Sequence, residues 1–249
     1  MAERIKSGIP GLDSLLDGGF PKGKVIMASG PSGAGKTILA AQFVNEGIKN
    51  NESCVFITLE ESKDKLIEDL KELNIDFSQL EKKNKLRIIG GPIGHVKYFK
   101  EKTKATIYDI ADEVKEVILE IGAKRVVLDS INLFTMLFET NLERRKALAD
   151  LVAVLGSLNC TTLLTCEVKE ANPRAISWHG FEEFVVDGVI ALYRLPFGNK
   201  YERAISVVKM RGVNHSQKVV SMSITKRGIE VYPDREPYHD IITNDSYGG

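Results

Sequence analysis

The stretch Gly30-Pro31-Ser32-Gly33-Ala34-Gly35-Lys36-Thr37 constrains this chain more than any other, because it fills every fixed position of G-x-x-x-x-G-K-[ST]. Glycines at those places let the backbone wrap closely around an anion, with successive N–H groups pointing inward. The run Lys24-Val25-Ile26-Met27-Ala28 before it reads as a buried strand, and Ile38 to Lys49 continues as a helix. Strand, tight loop and helix in that order put a phosphate at a helix N-terminus. The expected ligand is ATP, cradled by Gly30, Ser32, Gly33, Ala34, Gly35, Lys36, Thr37 and Ile38. Lys36 would carry charge to the β and γ phosphates, and Thr37 would offer its hydroxyl to Mg²⁺.

With 249 residues, 43% of them hydrophobic, the chain can build one large α/β domain. We expect that domain over 1–233 and a flexible C-terminal tail over 234–249, where apolar periodicity is lost. Lys+Arg and Asp+Glu both number 34, so no global basic field announces a nucleic acid. Cys54, Cys160 and Cys166 lie in apolar runs, without metal-ligand spacing and odd in number. They read as reduced core thiols, which favours the cytoplasm. No apolar stretch approaches the ~20 residues of a membrane span, and no signal-peptide pattern is present.

After the loop, strand and helix signals alternate. Cys54–Leu59, Leu86–Ile89, Arg125–Asp129 and Thr161–Thr165 read as strands. Between them, Leu66, Ile67, Leu70 and Leu73 recur at helical spacing behind Ser62, and a longer stripe runs from Ile107 to Ile121 and stops at Gly122. Thr140-Asn141-Leu142-Glu143 fits a capping box before a helix to about Leu158. This alternation predicts a mainly parallel central sheet flanked by helices on both faces. Gly188–Leu195, Arg203–Met210 and Lys218–Tyr232 read instead as consecutive strands, an antiparallel extension at one edge.

Arg125-Val126-Val127-Leu128-Asp129 is an apolar strand ending in an acid, which suits a Walker B carboxylate delivered beside the phosphate loop on a neighbouring strand. Glu60 and Glu61 follow the strand that starts at Cys54, where parallel sheets place ligand-binding groups. Two readings stand there: a carboxylate that activates water, or acids that merely open the next helix on its dipole.

These residues carry a resemblance. From Ile5 to about Tyr232 the chain resembles the KaiC-like group of RecA-superfamily ATPases. The matching segments, in order, are Gly8-Ile9-Pro10-Gly11-Leu12-Asp13 with Gly18-Gly19, the phosphate loop, Phe56-Ile57-Thr58-Leu59-Glu60-Glu61, the strand ending at Asp129, Gly180-Phe181-Glu182-Glu183-Phe184, and Lys209-Met210-Arg211-Gly212. The resemblance implies a RecA-like P-loop fold and a homo-oligomeric ring, usually a hexamer, with ATP or ADP between subunits. It further implies Glu60 as general base with Glu61 as companion, and Mg²⁺ held at Thr37 and Asp129. Lys209 and Arg211 would reach the neighbour's γ phosphate, with Met210 in the same motif and Phe184, Arg203 and His215 near the nucleotide across that interface. Clock members of the group have two domains, the second of which is phosphorylated at adjacent Ser and Thr. Here the corresponding region reads Trp178-His179-Gly180-Phe181-Glu182-Glu183, which resembles the hydrolytic first domain.

A nucleic-acid role stays open beside this one. His95 to Lys104 holds Lys97, Lys100, Lys102 and Lys104 with Tyr98 and Phe99, and Glu170 to His179 holds Arg174 and Trp178. Such mixtures can neutralise phosphates and stack bases, or can be ordinary solvated loops. A third reading is a nucleotide-gated scaffold without significant turnover. Nothing in the sequence names a protein partner.

Overall fold

The computed structural model of the protein describes residues 3–91, 107–169 and 175–237. A short ribbon of β1 (Arg4–Ile5) and β2 (Phe20–Pro21) brackets α1 (Leu12–Leu15). The described remainder is one sheet of nine strands in the order β11-β10-β9-β8-β3-β7-β6-β4-β5. Its parallel part comprises β3 (Val25–Gly30), β4 (Cys54–Thr58), β5 (Leu86–Gly90), β6 (Arg125–Asp129), β7 (Thr161–Glu167) and β8 (Gly188–Phe197). β9 (Lys200–Met210), β10 (Val219–Thr225) and β11 (Gly228–Tyr232) extend it antiparallel. The segment read from Lys218 to Tyr232 as one strand is thus a hairpin, broken at Lys226-Arg227, where Gly228 takes a φ of 93°.

Helices cover both faces, which is why β3, β4 and β6 read as unbroken apolar runs and are buried throughout. On one face lie α2 (Lys36–Lys49), α3 (Lys63–Lys71) and α4 (Phe77–Lys82), with Leu39, Phe43, Leu66, Leu70 and Phe77 meeting Ile26, Phe56 and Val127. On the other, α5 (Ile107–Ile121), α6 (Ile131–Thr135), α7 (Asn141–Ser157) and α8 (Glu182–Val185) join a second cluster around Met27, Val55, Val126 and Leu164. The capping box is formed as the sequence predicts, with the Thr140 hydroxyl accepting from the Glu143 N–H and the Glu143 carboxylate accepting from the Thr140 N–H.

Two polar ties seat α2. Gln42, inside the core, accepts from the Ile229 N–H at 2.7 Å and donates to the Ile229 carbonyl at 3.2 Å. A Cβ at Gly228 would lie 2.5 Å from the Gln42 amide carbon, so glycine is required there. Arg125, 1% exposed, pairs with Glu52 at 2.5 Å and donates to the carbonyls of Lys6 and Phe43. Its guanidinium also stacks over the Phe43 ring. Past Tyr232 the chain stays attached at first: the Ser221 N–H donates to the Arg235 carbonyl and the Arg235 guanidinium lies over Tyr232. Of the expected tail, 234–237 are described and the rest lies outside the described residues.

Candidate nucleotide site

β3 delivers the loop at its C-terminal end and α2 begins at Lys36, so the loop's N–H groups gather where the positive end of a 14-residue helix points. Gly33 and Gly35 take φ of 71° and 105°, conformations that a side chain resists. At Gly30 a Cβ would sit 2.6 Å from the Leu192 carbonyl oxygen. The Lys36 ammonium donates to the Gly30 and Pro31 carbonyls at 2.9 and 3.0 Å.

Asp129 ends β6, but β6 is not the neighbour of the phosphate-loop strand that the sequence predicts, because β7 lies between them. The gap is closed from α2: the Thr37 hydroxyl donates to Asp129 Oδ2 at 2.8 Å. Thr165 of β7 donates to Oδ1 of the same carboxylate. Asp129 is 2% exposed, and burial together with the Glu60 charge pushes its pKa up to about 6 against those hydroxyl bonds and Lys36. The hard oxygens of Thr37 and Asp129 suit Mg²⁺. Among the described residues no group of three or more His, Cys, Asp or Glu forms a protein-only cage.

The two acids after β4 part company. Glu60 is exposed and close enough to Asp129 for their charges to interact. Glu61 is half-buried, pairs with Lys65 at 3.6 Å, and has its pKa raised by that burial. Ser62 caps α3 through the Lys65 N–H, Asp64 is the acid of its first turn, and Glu60 faces solvent.

The residues expected across an interface fall at two ends of the sheet. β9 runs antiparallel to β8, so Arg203 pairs with Arg194 above the phosphate loop while Met210 pairs with Gly188 level with Ile26. Arg203 accordingly donates to the carbonyl of Gly33 in its own chain at 3.4 Å, a position that separates it from the other interface candidates. Arg211 lies beside Asp187, level with Val25. Five strand residues separate that level from Gly30, roughly 16 Å at strand rise. Lys209 donates to the Glu183 carbonyl at 2.5 Å and Arg211 to the Phe184 carbonyl at 3.4 Å. Burial and the neighbouring Arg211 charge lower the Lys209 pKa. Phe184 projects beside them, 62% exposed, and His215 sits in the following loop, where the Ser216 N–H donates to the Leu15 carbonyl.

Known proteins resemble this chain in sequence and fold. The family model described as the KaiC ATPase matches residues 5–236. The chain belongs to the KaiC-like ATPase family. A UPF0273 protein of Thermotoga maritima is 32% identical over 239 residues, covering 94% of this chain and 97% of that protein. The circadian clock oscillator protein KaiC 1 of Synechocystis is 32% identical over 236 residues, covering 93% of this chain but 44% of that protein, so this chain spans under half of it. A crystal structure of a KaiC-like protein from Pyrococcus horikoshii superposes with a TM-score of 0.81 at 34% identity, covering 94% of this chain and all of that one.

Like its relatives the chain is RecA-like in fold, and the antiparallel edge is present. No helix among the described residues is long and apolar enough to cross a membrane. The three cysteines are buried, and burial pushes the Cys54 thiol up to about 12, as core thiols require. The segment with Lys97, Lys100, Lys102 and Lys104, and Arg174, lie outside the described residues. Trp178 is described, 38% exposed, with the Lys169 ammonium 5.3 Å from its ring centre.

Sequence reasoning missed three residues. Asn132 accepts from the Glu167 N–H at 2.6 Å and donates to the Glu167 carbonyl, fastening α6 to the end of β7. Thr165 was legible only as a strand residue, although alternation from Leu163 turns it toward α2. Asp187 carried no local signal at all.

Proposed function

We propose that this KaiC-like protein is a Mg²⁺-dependent ATP hydrolase that works as a homo-oligomeric ring, with six subunits as the family resemblance implies, and serves a regulatory or signalling role. Gly30, Ser32, Gly33, Ala34, Gly35, Lys36, Thr37 and Ile38 hold the phosphates, Lys36 meets the β and γ oxygens, and Thr37 with Asp129 holds the metal. Bound Mg²⁺ neutralises phosphate charge. Glu60 orients and deprotonates the attacking water, with Glu61 supporting it through its pairing with Lys65. Arg203 serves the nucleotide of its own chain. Lys209 and Arg211, flanked by Met210, Phe184 and His215, serve the nucleotide of the adjoining chain.

The observation that carries the reading is the separation of the two charged groups. Arg211 stands at the opposite end of β3 from the phosphate loop, too far to touch a phosphate bound there. A cation so placed can act on a phosphate only in trans, which ties hydrolysis to assembly. The test is hydrolysis by Arg211→Ala, by Glu60→Gln and by their mixture after subunit exchange. Each alone should be nearly inactive, and the mixture should regain activity at interfaces where an intact Glu60 meets an intact Arg211. No recovery would refute the in-trans arrangement. Turnover by Lys36→Ala at the parent rate would refute the phosphate-loop assignment, and absence of turnover in the parent would favour a nucleotide-gated scaffold.

A second reading, a DNA-acting ATPase, rests on the exposed Trp178 beside Lys169. An aromatic face with a cation above it can stack a base and meet a phosphate. Hydrolysis stimulated by single-stranded DNA would favour it.

A further inference from the structure

The Lys209 and Arg211 end of the protein is organised by one carboxylate, that of Asp187. Its backbone stitches two strands together: the Asp187 N–H donates to the Val25 carbonyl at 2.8 Å, and the Arg211 N–H donates to the Asp187 carbonyl at 3.0 Å. Its side chain repeats the connection. Oδ2 accepts from the Val25 N–H at 3.2 Å, while Oδ1 meets Lys24 Nζ at 3.4 Å and Arg211 Nη1 at 3.8 Å. The carboxylate is well covered, 19% exposed, whereas the Arg211 side chain is 58% exposed.

We propose that Asp187 is the positioning residue that aims Arg211, and with it Lys209, at the nucleotide of an adjoining copy; this rests on the in-trans reading above. Ion pairs of this length and exposure add little to stability. What this one supplies is direction. A guanidinium on a long, freely turning side chain is held at two points, by the Asp187 carboxylate and by the Phe184 carbonyl at the end of α8. Lys209 is fixed on the adjacent Glu183 carbonyl and feels the same carboxylate. Both cations are thereby set on one surface before a second copy arrives, so little ordering remains for the moment of reaction. Because the anchor of Asp187 is the first residue of β3, the cluster is also referenced to the strand that ends in the chain's own phosphate loop.

Asp187→Asn tests this with little disturbance, since the amide oxygen can still accept from Val25 while the negative charge that pairs with Arg211 is gone. Steady-state hydrolysis by parent, Asp187→Asn, Arg211→Ala and the double variant is compared. We expect kcat to fall about 10- to 100-fold in Asp187→Asn with KM for ATP nearly unchanged, the scale associated with small misplacements of an acting group. The double variant should be no slower than Arg211→Ala. A mixture of Asp187→Asn with Glu60→Gln should regain activity, because the defect sits on the donating subunit. Lys24→Ala should run at the parent rate, which separates loss of the Lys24 pair from loss of aim. Should Asp187→Asn fail to fold, Asp187→Glu, which keeps the charge but displaces it, is read in the same mixture. Losses that multiply in the double variant overturn the proposal, as does a mixture that stays inactive while Arg211→Ala with Glu60→Gln recovers. If that reference mixture also stays inactive, the in-trans reading itself is what has failed.

Discussion

At the scale of single residues, Asp129 shows how burial and function pull against each other. Its carboxylate is enclosed and held by two hydroxyls, Thr37 and Thr165, yet its pKa stands at about 6 because desolvation outweighs them. A raised carboxyl pKa favours the folded state while the proton is on, below the ordinary value of 3.8, and that benefit is lost as pH climbs to about 6. Metal binding has the opposite sign, since a cation must displace the proton. We therefore predict that the Mg²⁺ concentration giving half-maximal hydrolysis rises as pH falls from 7 to 5, and that Asp129→Asn removes this slope. The measurement is a Mg²⁺ titration of the rate at each pH. Glu60 and Glu61 should also separate. Glu60→Gln should bind nucleotide normally and lose about 10²- to 10⁴-fold in hydrolysis, whereas Glu61→Gln, already tied to Lys65, should lose far less. Turnover at the parent rate by both variants would restore the helix-opening reading.

At the scale of elements, polar ties inside the core seat the helices and strands that bear the site. Gln42 satisfies both backbone groups of Ile229 and so locks α2 to the far edge hairpin. Replacing it by Leu leaves a buried donor and acceptor unpaired, with an expected loss of about 1–3 kcal/mol in denaturant unfolding. Arg125 is a stronger case: removing it strands Glu52 and opens a cavity against Phe43 and Gly47. Arg125→Ala should cost about 3–5 kcal/mol by the same measurement. Most element boundaries were readable locally. The capping box of α7, the Ser62 cap of α3 and the apolar runs of β3, β4 and β6 are short-range patterns, and the chain follows them. Short elements such as α6 and α8 were not legible, because helices of 5 and 4 residues carry too few turns for periodicity to register.

At the scale of the whole molecule, the antiparallel course of β9 distributes its basic residues between two ends of the sheet. Arg203 ends above its own phosphate loop and Arg211 about a strand's length away. This yields a prediction that local chemistry could not. Mixed with Glu60→Gln, Arg203→Ala should show no recovery, since both residues serve their own subunit's site and every site in the mixture then keeps one defect, while Arg211→Ala should recover. Recovery by both variants would mean that Arg203 also crosses the interface.

The sequence by itself determined the phosphate loop, the strand that ends at Asp129, the acids after β4 and the alternation that demands a covered parallel sheet. Each of these is written in neighbouring residues, through backbone freedom at glycine, apolar period or charge at a strand end. Only the tertiary structure decided that β7 separates Asp129 from the loop strand, that Thr37 and Thr165 meet on one carboxylate, and that Asp187 links β3 to Arg211. Those facts follow from strand order and direction, which come from pairing segments from a few dozen to more than a hundred residues apart. No local pattern encodes them, because any apolar strand can pair with any other until the helices between them choose which faces to bury.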